Sequence, residues 1–85
     1  ALRYLVDNGM EMIALDTPSP DASTAIGKMD DSLGHKLLLS REVVIVEYLN
    51  NTERLKSGED YEIIALPLKI RGGDGSPCRV IARRL

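Results

Sequence analysis

Four consecutive β-branched residues, Val43-Val44-Ile45-Val46, closed by the acid Glu47, constrain this chain more than any other run in it. β-Branched side chains favour extended backbone. A run that is apolar at every position, not at alternate ones, marks a strand covered on both faces, as parallel strands of α/β folds are. Upstream, Leu33, Leu37 and Leu38 recur at helical spacing as far as Arg41, with Asp31 or Ser32 placed to cap the helix start. Before that helix, MEMIAL (10–15) reads as a short buried strand. Strand, helix and strand over 10–47 predict a right-handed crossover between parallel strands.

The flanking segments complete an α/β order. Leu2, Leu5 and Val6 follow helical spacing, and Asn8-Gly9 is a stop signal in which glycine can take the left-handed cap. Asp16-Thr17-Pro18-Ser19-Pro20-Asp21 is a loop by its prolines and capping residues, and it is expected to continue to about Asp30. Beyond Glu47, residues 49–56 allow one short helical turn and 57–60 a chain reversal. YEIIALPL (61–68) is a strand whose Pro67 suits an edge. After the glycine-rich loop 71–77, CRVIARR (78–84) alternates, with Cys78, Val80 and Ala82 on one face and Arg79 and Arg83 on a wet one. The expectation is about four strands and two helices, with a partly mixed sheet beyond the crossover.

At 85 residues the chain has room for one small domain. Its only aromatic residues are three tyrosines, so the core is left to Leu, Ile, Val, Met and Ala. A net charge of -2 gives no electrostatic reason to expect nucleic acid or an anionic membrane as partner. No apolar run approaches the roughly 18 residues of a membrane span. The lone cysteine, Cys78, rules out an internal disulfide framework and suits a reducing, cytoplasmic setting. The opening ALRYLVDNG, without an initiator Met and apparently inside a helix, reads as the start of a fragment.

The chemistry concentrates on His35, the one histidine, and Glu47. From His35 to its helix end is roughly 9 Å at the helical rise, and from Val43 to Glu47 the strand returns roughly 13 Å. If the helix packs back along the strand, both side chains finish at the carboxyl end of the sheet, where open α/β folds place ligands. Imidazole and carboxylate there suit Zn²⁺ or Mn²⁺, but two donors do not complete a site. Residues alone leave two readings open: a partial metal site, or a helix-start histidine and a solvated strand-end acid.

The series ALDTPSPD, GHKLLL, VVIVEYL, ALPLKI and GDGSPCRVIA resembles the C-terminal third of the cyclase family of metal-dependent hydrolases, which includes kynurenine formamidases and isatin hydrolases. The likeness runs over nearly the whole chain, in order. It implies a swivelling β/β/α architecture of which residues 1–85 are a C-terminal segment. It also implies that His35 and Glu47, twelve positions apart as in the family, are metal ligands, and that the remaining ligands lie upstream in an HxGTHxD motif absent here. The implied chemistry is hydrolysis of an amide or cyclic amide by metal-activated water. A role for His35 in holding or relaying a proton stays open beside ligation. Implied partners are the rest of the chain's own protein, a small-molecule substrate and a second copy of the protein.

Two departures qualify the likeness. The family's glycine between helix and strand is missing from Ser40-Arg41-Glu42, so a non-glycine residue is expected in the left-handed cap or the turn differs. Lys36 stands where some formamidases carry a second histidine. Among other residues, Asp16 either caps the turn into TPSP or approaches the site. Asp74 and Ser76 belong to a tight connection, Cys78 reads as a small core residue, and Arg79, Arg83 and Arg84 as a solvated face and terminus. The competing function is a non-catalytic α/β interaction or assembly module.

Overall fold

The computed structural model describes residues 1–21 and 32–85, so the capping role expected of Asp31 and the loop assigned to 22–30 lie outside the described residues. The chain divides into two compact units, Ala1–Thr52 and Glu53–Leu85. The first holds α1 (Leu2–Asp7), β1 (Met12–Ala14), α2 (Leu33–Ser40) and β2 (Val44–Val46). A 3₁₀ turn at Thr52–Arg54 leads to β3 (Tyr61–Pro67) and β4 (Cys78–Arg84) in the second. Among the described residues, two helices and four strands in two sheets make this a small α/β structure.

In the first unit β1 and β2 are parallel, with Met12 opposite Val44, Ile13 opposite Ile45 and Ala14 opposite Val46. The crossover helix between them is the one expected from the apolar spacing. Val6, Leu38 and Val43 form the buried cluster, and Leu2, Met10, Ile13 and Ile45 pack against it. Leu38 has no exposed surface. The cluster thus joins both helices to the sheet face that carries Ile13 and Ile45. Val44 is on the opposite face by alternation and is 51% exposed. The expectation that 43–46 is covered on both faces is therefore corrected at Val44 only: Val46, which shares its face, is buried at 6%, and among the described residues this sheet is two strands wide.

Both helices of this unit end in the same hydrogen-bonded motif. In α1 the N–H groups of Gly9 and Met10 donate to Val6 and Leu5 carbonyls at 3.1 Å each. In α2 the N–H groups of Glu42 and Val43 donate to Leu39 and Leu38 carbonyls at 3.1 and 2.9 Å. This double bond pattern requires a left-handed residue just past the cap. Gly9 takes it at φ 92°, and Glu42 takes it at φ 58°. The absent glycine in Ser40-Arg41-Glu42 is thus met by a strained glutamate, and the turn is kept because Val43 and Leu38, which it joins, are both core residues. Ser32, at the α2 N-cap position, makes no side-chain cap hydrogen bond, which corrects the capping role expected of it.

In the second unit β3 and β4 form a separate antiparallel ribbon in which Tyr61 faces Arg84 and Pro67 faces Cys78. They do not extend the first sheet into the mixed sheet expected. Alternation holds as read: Ile63, Ala65, Val80, Ala82 and Cys78 share one face, while Arg83 is on the other, paired with Glu62 at 2.9 Å. Tyr61 closes the entry turn, its hydroxyl accepting from Lys56 N at 3.0 Å and donating to Glu59 at 3.3 Å. Ser76 ties the glycine-rich loop by accepting from Leu68 N at 3.0 Å. Cys78 is exposed, not the core residue expected, because a two-stranded ribbon has no second layer to bury it. Indeed no residue from Glu53 to Leu85 is buried, and such a ribbon alone is marginal in water. No helix among the described residues is long and apolar enough to cross a membrane.

The left-handed Glu42 gives a direct test. Replacing Glu42 with glycine relieves a backbone cost of about 1–2 kcal/mol against an unfolded-state entropy loss of roughly 0.5–1 kcal/mol. Glu42→Gly is expected to raise the urea midpoint, by up to about 1.5 kcal/mol of stability, whereas Gly9→Ala is expected to lower it.

Candidate functional site

Because β1 and β2 are parallel, the segments that leave them emerge at the same sheet end. They are tied together there: Leu15 N donates to Val46 O and Leu49 N to Leu15 O, both at 2.9 Å, and Tyr48 N donates to Thr17 O at 3.0 Å. Tyr48 is left-handed, at φ 57°. An aromatic residue in that region is uncommon and marks a constrained turn, and this turn directly follows Glu47. The loop after β1 reverses at Thr17–Asp21, with Thr17 Oγ1 donating to Ser19 O and Asp21 N donating to Ser19 Oγ, both at 3.0 Å. That reversal brings the Asp21 carboxylate to the start of α2.

Two backbone N–H groups and one ring nitrogen converge on Asp21. Its Oδ1 accepts from Gly34 N. Its Oδ2 accepts from His35 N at 3.2 Å and lies 2.6 Å from His35 Nδ1. Gly34 and His35 are the second and third residues of α2, whose N–H groups have no partner inside the helix. Asp21 therefore does from thirteen and fourteen residues away what a capping side chain does locally. The helix dipole favours a carboxylate at this end. Glycine at 34 leaves room for this contact, since a Cβ there would meet Asp21 Oδ1 at 2.5 Å and Leu2 Cδ1 at 3.3 Å, and the Asp21 carboxylate would have to shift.

The other ring nitrogen of His35, Nε2, lies 3.1 Å from Glu47 Oε1. The imidazole thus sits between two carboxylates, with Asp21 the most enclosed at 11% side-chain exposure, His35 at 34% and Glu47 at 31%. The hydrogen bond to Asp21 pushes the His35 pKa above its ordinary value; the one to Glu47 adds to this, while partial burial opposes it. The Asp21 pKa is lowered, first by His35 and then by the N–H groups of Gly34 and His35, with partial burial again opposing.

His35 and Glu47, the pair singled out in the sequence, are brought together at the carboxyl end of the sheet. Asp16 is not part of the cluster: it is exposed, and its carboxylate accepts from Thr52 Oγ1 at 3.2 Å instead of capping the TPSP turn. Asp74, Ser76 and Cys78 belong to the second unit. Sequence reasoning places Asp21 in the turn only, as the close of the run ALDTPSPD, and does not single it out as a site residue. Chemically, the arrangement offers one ring nitrogen and one carboxylate oxygen to a common cation, with a second carboxylate behind the ring. Among the described residues no group of three or more His, Cys, Asp or Glu is arranged to hold a metal ion.

Comparison with known proteins gives this cluster its context. The chain is 38% identical over 84 residues to a kynurenine formamidase of Bordetella petrii, covering 99% of this chain and 37% of that protein. It is 39% identical over 82 residues to a kynurenine formamidase of Salinibacter ruber, covering 96% of this chain and 36% of that protein. A kynurenine formamidase of Bacillus anthracis is 34% identical over 82 residues, again over 94% of this chain and 35% of its own length. The chain therefore spans little more than a third of the length of the curated relatives it matches, and the resemblance to the cyclase family is borne out. No family model matches the chain, and no solved structure matches it.

The two shifted pKa values fix the sign of a pH dependence. His35, raised, contributes stability that is complete below its ordinary value of 6.5 and lost as pH rises through its folded value. Asp21, lowered, contributes stability that is complete above its ordinary value of 3.8 and lost as pH falls through its folded value. In the metal-free chain the sole imidazole is expected to titrate by NMR above 6.5, and Asp21→Asn is expected to lower that midpoint.

Proposed function

Because the chain is a homologue of the kynurenine formamidases, we propose that it supplies part of the active site of a longer metal-dependent hydrolase acting on an amide or cyclic amide. In this reading His35 Nε2 and Glu47 Oε1 are metal donors. The observation that carries it is their separation of 3.1 Å across twelve residues of sequence. Two donors on one ion at about 2.1 Å each, subtending about 90–110°, stand roughly 3.0–3.4 Å apart. The donor types fit as well, since neutral imidazole and carboxylate both bind Zn²⁺ and Mn²⁺.

Two donors are too few for either ion, so the remaining ligands belong to the part of the protein beyond these residues, where an HxGTHxD motif is expected. The ion would supply a water that ionises near neutral pH and a Lewis acid for the substrate carbonyl. The task of this chain is to hold two ligands rigidly at a sheet end: His35 on the first turn of a helix docked on the core, Glu47 at a strand end fixed by the turn after it. The reading includes the swivelling β/β/α architecture, supported by a parallel pair whose outer edges are unpaired among the described residues and by the exposure of Val44. It also includes a cytoplasmic location, a small-molecule substrate and a homo-oligomer. Nothing observed favours the non-catalytic module.

The test uses the intact protein, purified with its metal. His35→Ala and Glu47→Ala are each expected to lower bound Zn or Mn and to reduce hydrolysis of a kynurenine formamide by more than the roughly 10–100-fold typical of residues behind a ligand. Full metal loading in either variant would rule out the ligand assignment.

A further inference from the structure

Asp21 does more than cap a helix. Its two oxygens accept the backbone N–H groups of Gly34 and His35 at a helix N-terminus, which favours the carboxylate form, and a carboxylate can only accept hydrogen bonds. The contact of 2.6 Å to His35 Nδ1 therefore requires the proton to be on Nδ1. The same Oδ2 binds the backbone N–H of His35, so one oxygen grips both the main chain and the ring of a single residue. That double grip fixes the ring plane as well as the tautomer. A neutral ring held this way presents a bare Nε2 lone pair toward Glu47 Oε1 at 3.1 Å, one acceptor facing another. Such a gap is stable only with a proton or a metal cation in it.

We propose that Asp21 is a positioning residue, which holds His35 as the Nδ1–H tautomer and aims Nε2 at the gap shared with Glu47. Its effect on metal affinity rests on the ligand reading above, whereas its control of the tautomer does not. Carboxylates placed behind ligand histidines raise ligand basicity and set orientation, and their loss costs about 10–100-fold in affinity. Gly34 belongs to the same device, because any side chain there displaces the Asp21 carboxylate.

The experiment is long-range ¹H–¹⁵N NMR of the His35 ring in the metal-free intact protein, above the titration range, with the signal assigned by its loss in His35→Gln. The wild type is expected to carry its proton on Nδ1. Asp21→Leu, of similar shape but unable to accept, is expected to move the ring toward Nε2–H and to weaken Zn²⁺ binding by about 10–100-fold. Asp21→Asn keeps an acceptor oxygen and is expected to retain the Nδ1–H form and recover most of that affinity. A wild-type ring protonated on Nε2 overturns the proposal, and this needs no variant, so it decides even if Asp21→Leu does not fold. Equal Zn²⁺ loss in both variants with an unchanged tautomer overturns it too, leaving Asp21 a helix cap alone. Undiminished Zn²⁺ binding in His35→Gln would instead defeat the ligand reading, with the tautomer result intact.

Discussion

The Asp21 carboxylate is the joint on which the first unit depends. One side chain receives the two free N–H groups of the α2 start and the ring of His35, so the helix, the loop after β1 and the site histidine are fixed by a single group. The arrangement works because each requirement favours the others. A helix N-terminus stabilises an anion; the anion requires a donor at Nδ1; and the ring so held turns Nε2 toward the strand that ends at Glu47. Burial of Leu38 and Val43 anchors the other end of the same helix. The helix thus has a chemical end and an apolar end, and the site sits at the chemical one.

Much of this was legible in the sequence because it followed from local chemistry. The unbroken Val43–Val46 run marked strand β2, and its return length against the helix gave the convergence of His35 and Glu47. The missing glycine at Ser40-Arg41-Glu42 pointed to a left-handed non-glycine residue, and Glu42 is that residue. Asp21 was not legible in the same way. Its partners lie thirteen and fourteen residues on, and no local pattern distinguishes a loop aspartate that closes a turn from one that reaches a distant helix. Ser32, adjacent to the helix and of the right type, was the better local candidate and supplies no side-chain cap.

The misreadings about burial share one cause. Val44 and Cys78 have the sequence environment of covered strand residues, yet both are exposed. Apolar patterning states that a face is to be covered; it does not state what covers it. Among the described residues both sheets are two strands wide, while the relatives are nearly three times as long as this chain. The exposed Val44, the ribbon from Tyr61 to Arg84 and the two-donor site proposed at His35 and Glu47 are all features that a longer protein would complete.

That completion is most directly tested by anomalous X-ray scattering from crystals of the intact protein loaded with Zn²⁺ or Mn²⁺. The account predicts a metal peak about 2.0–2.2 Å from both His35 Nε2 and Glu47, with Asp21 still on Nδ1. A metal peak that neither residue touches, or one held through Nδ1 with Asp21 displaced, would contradict it.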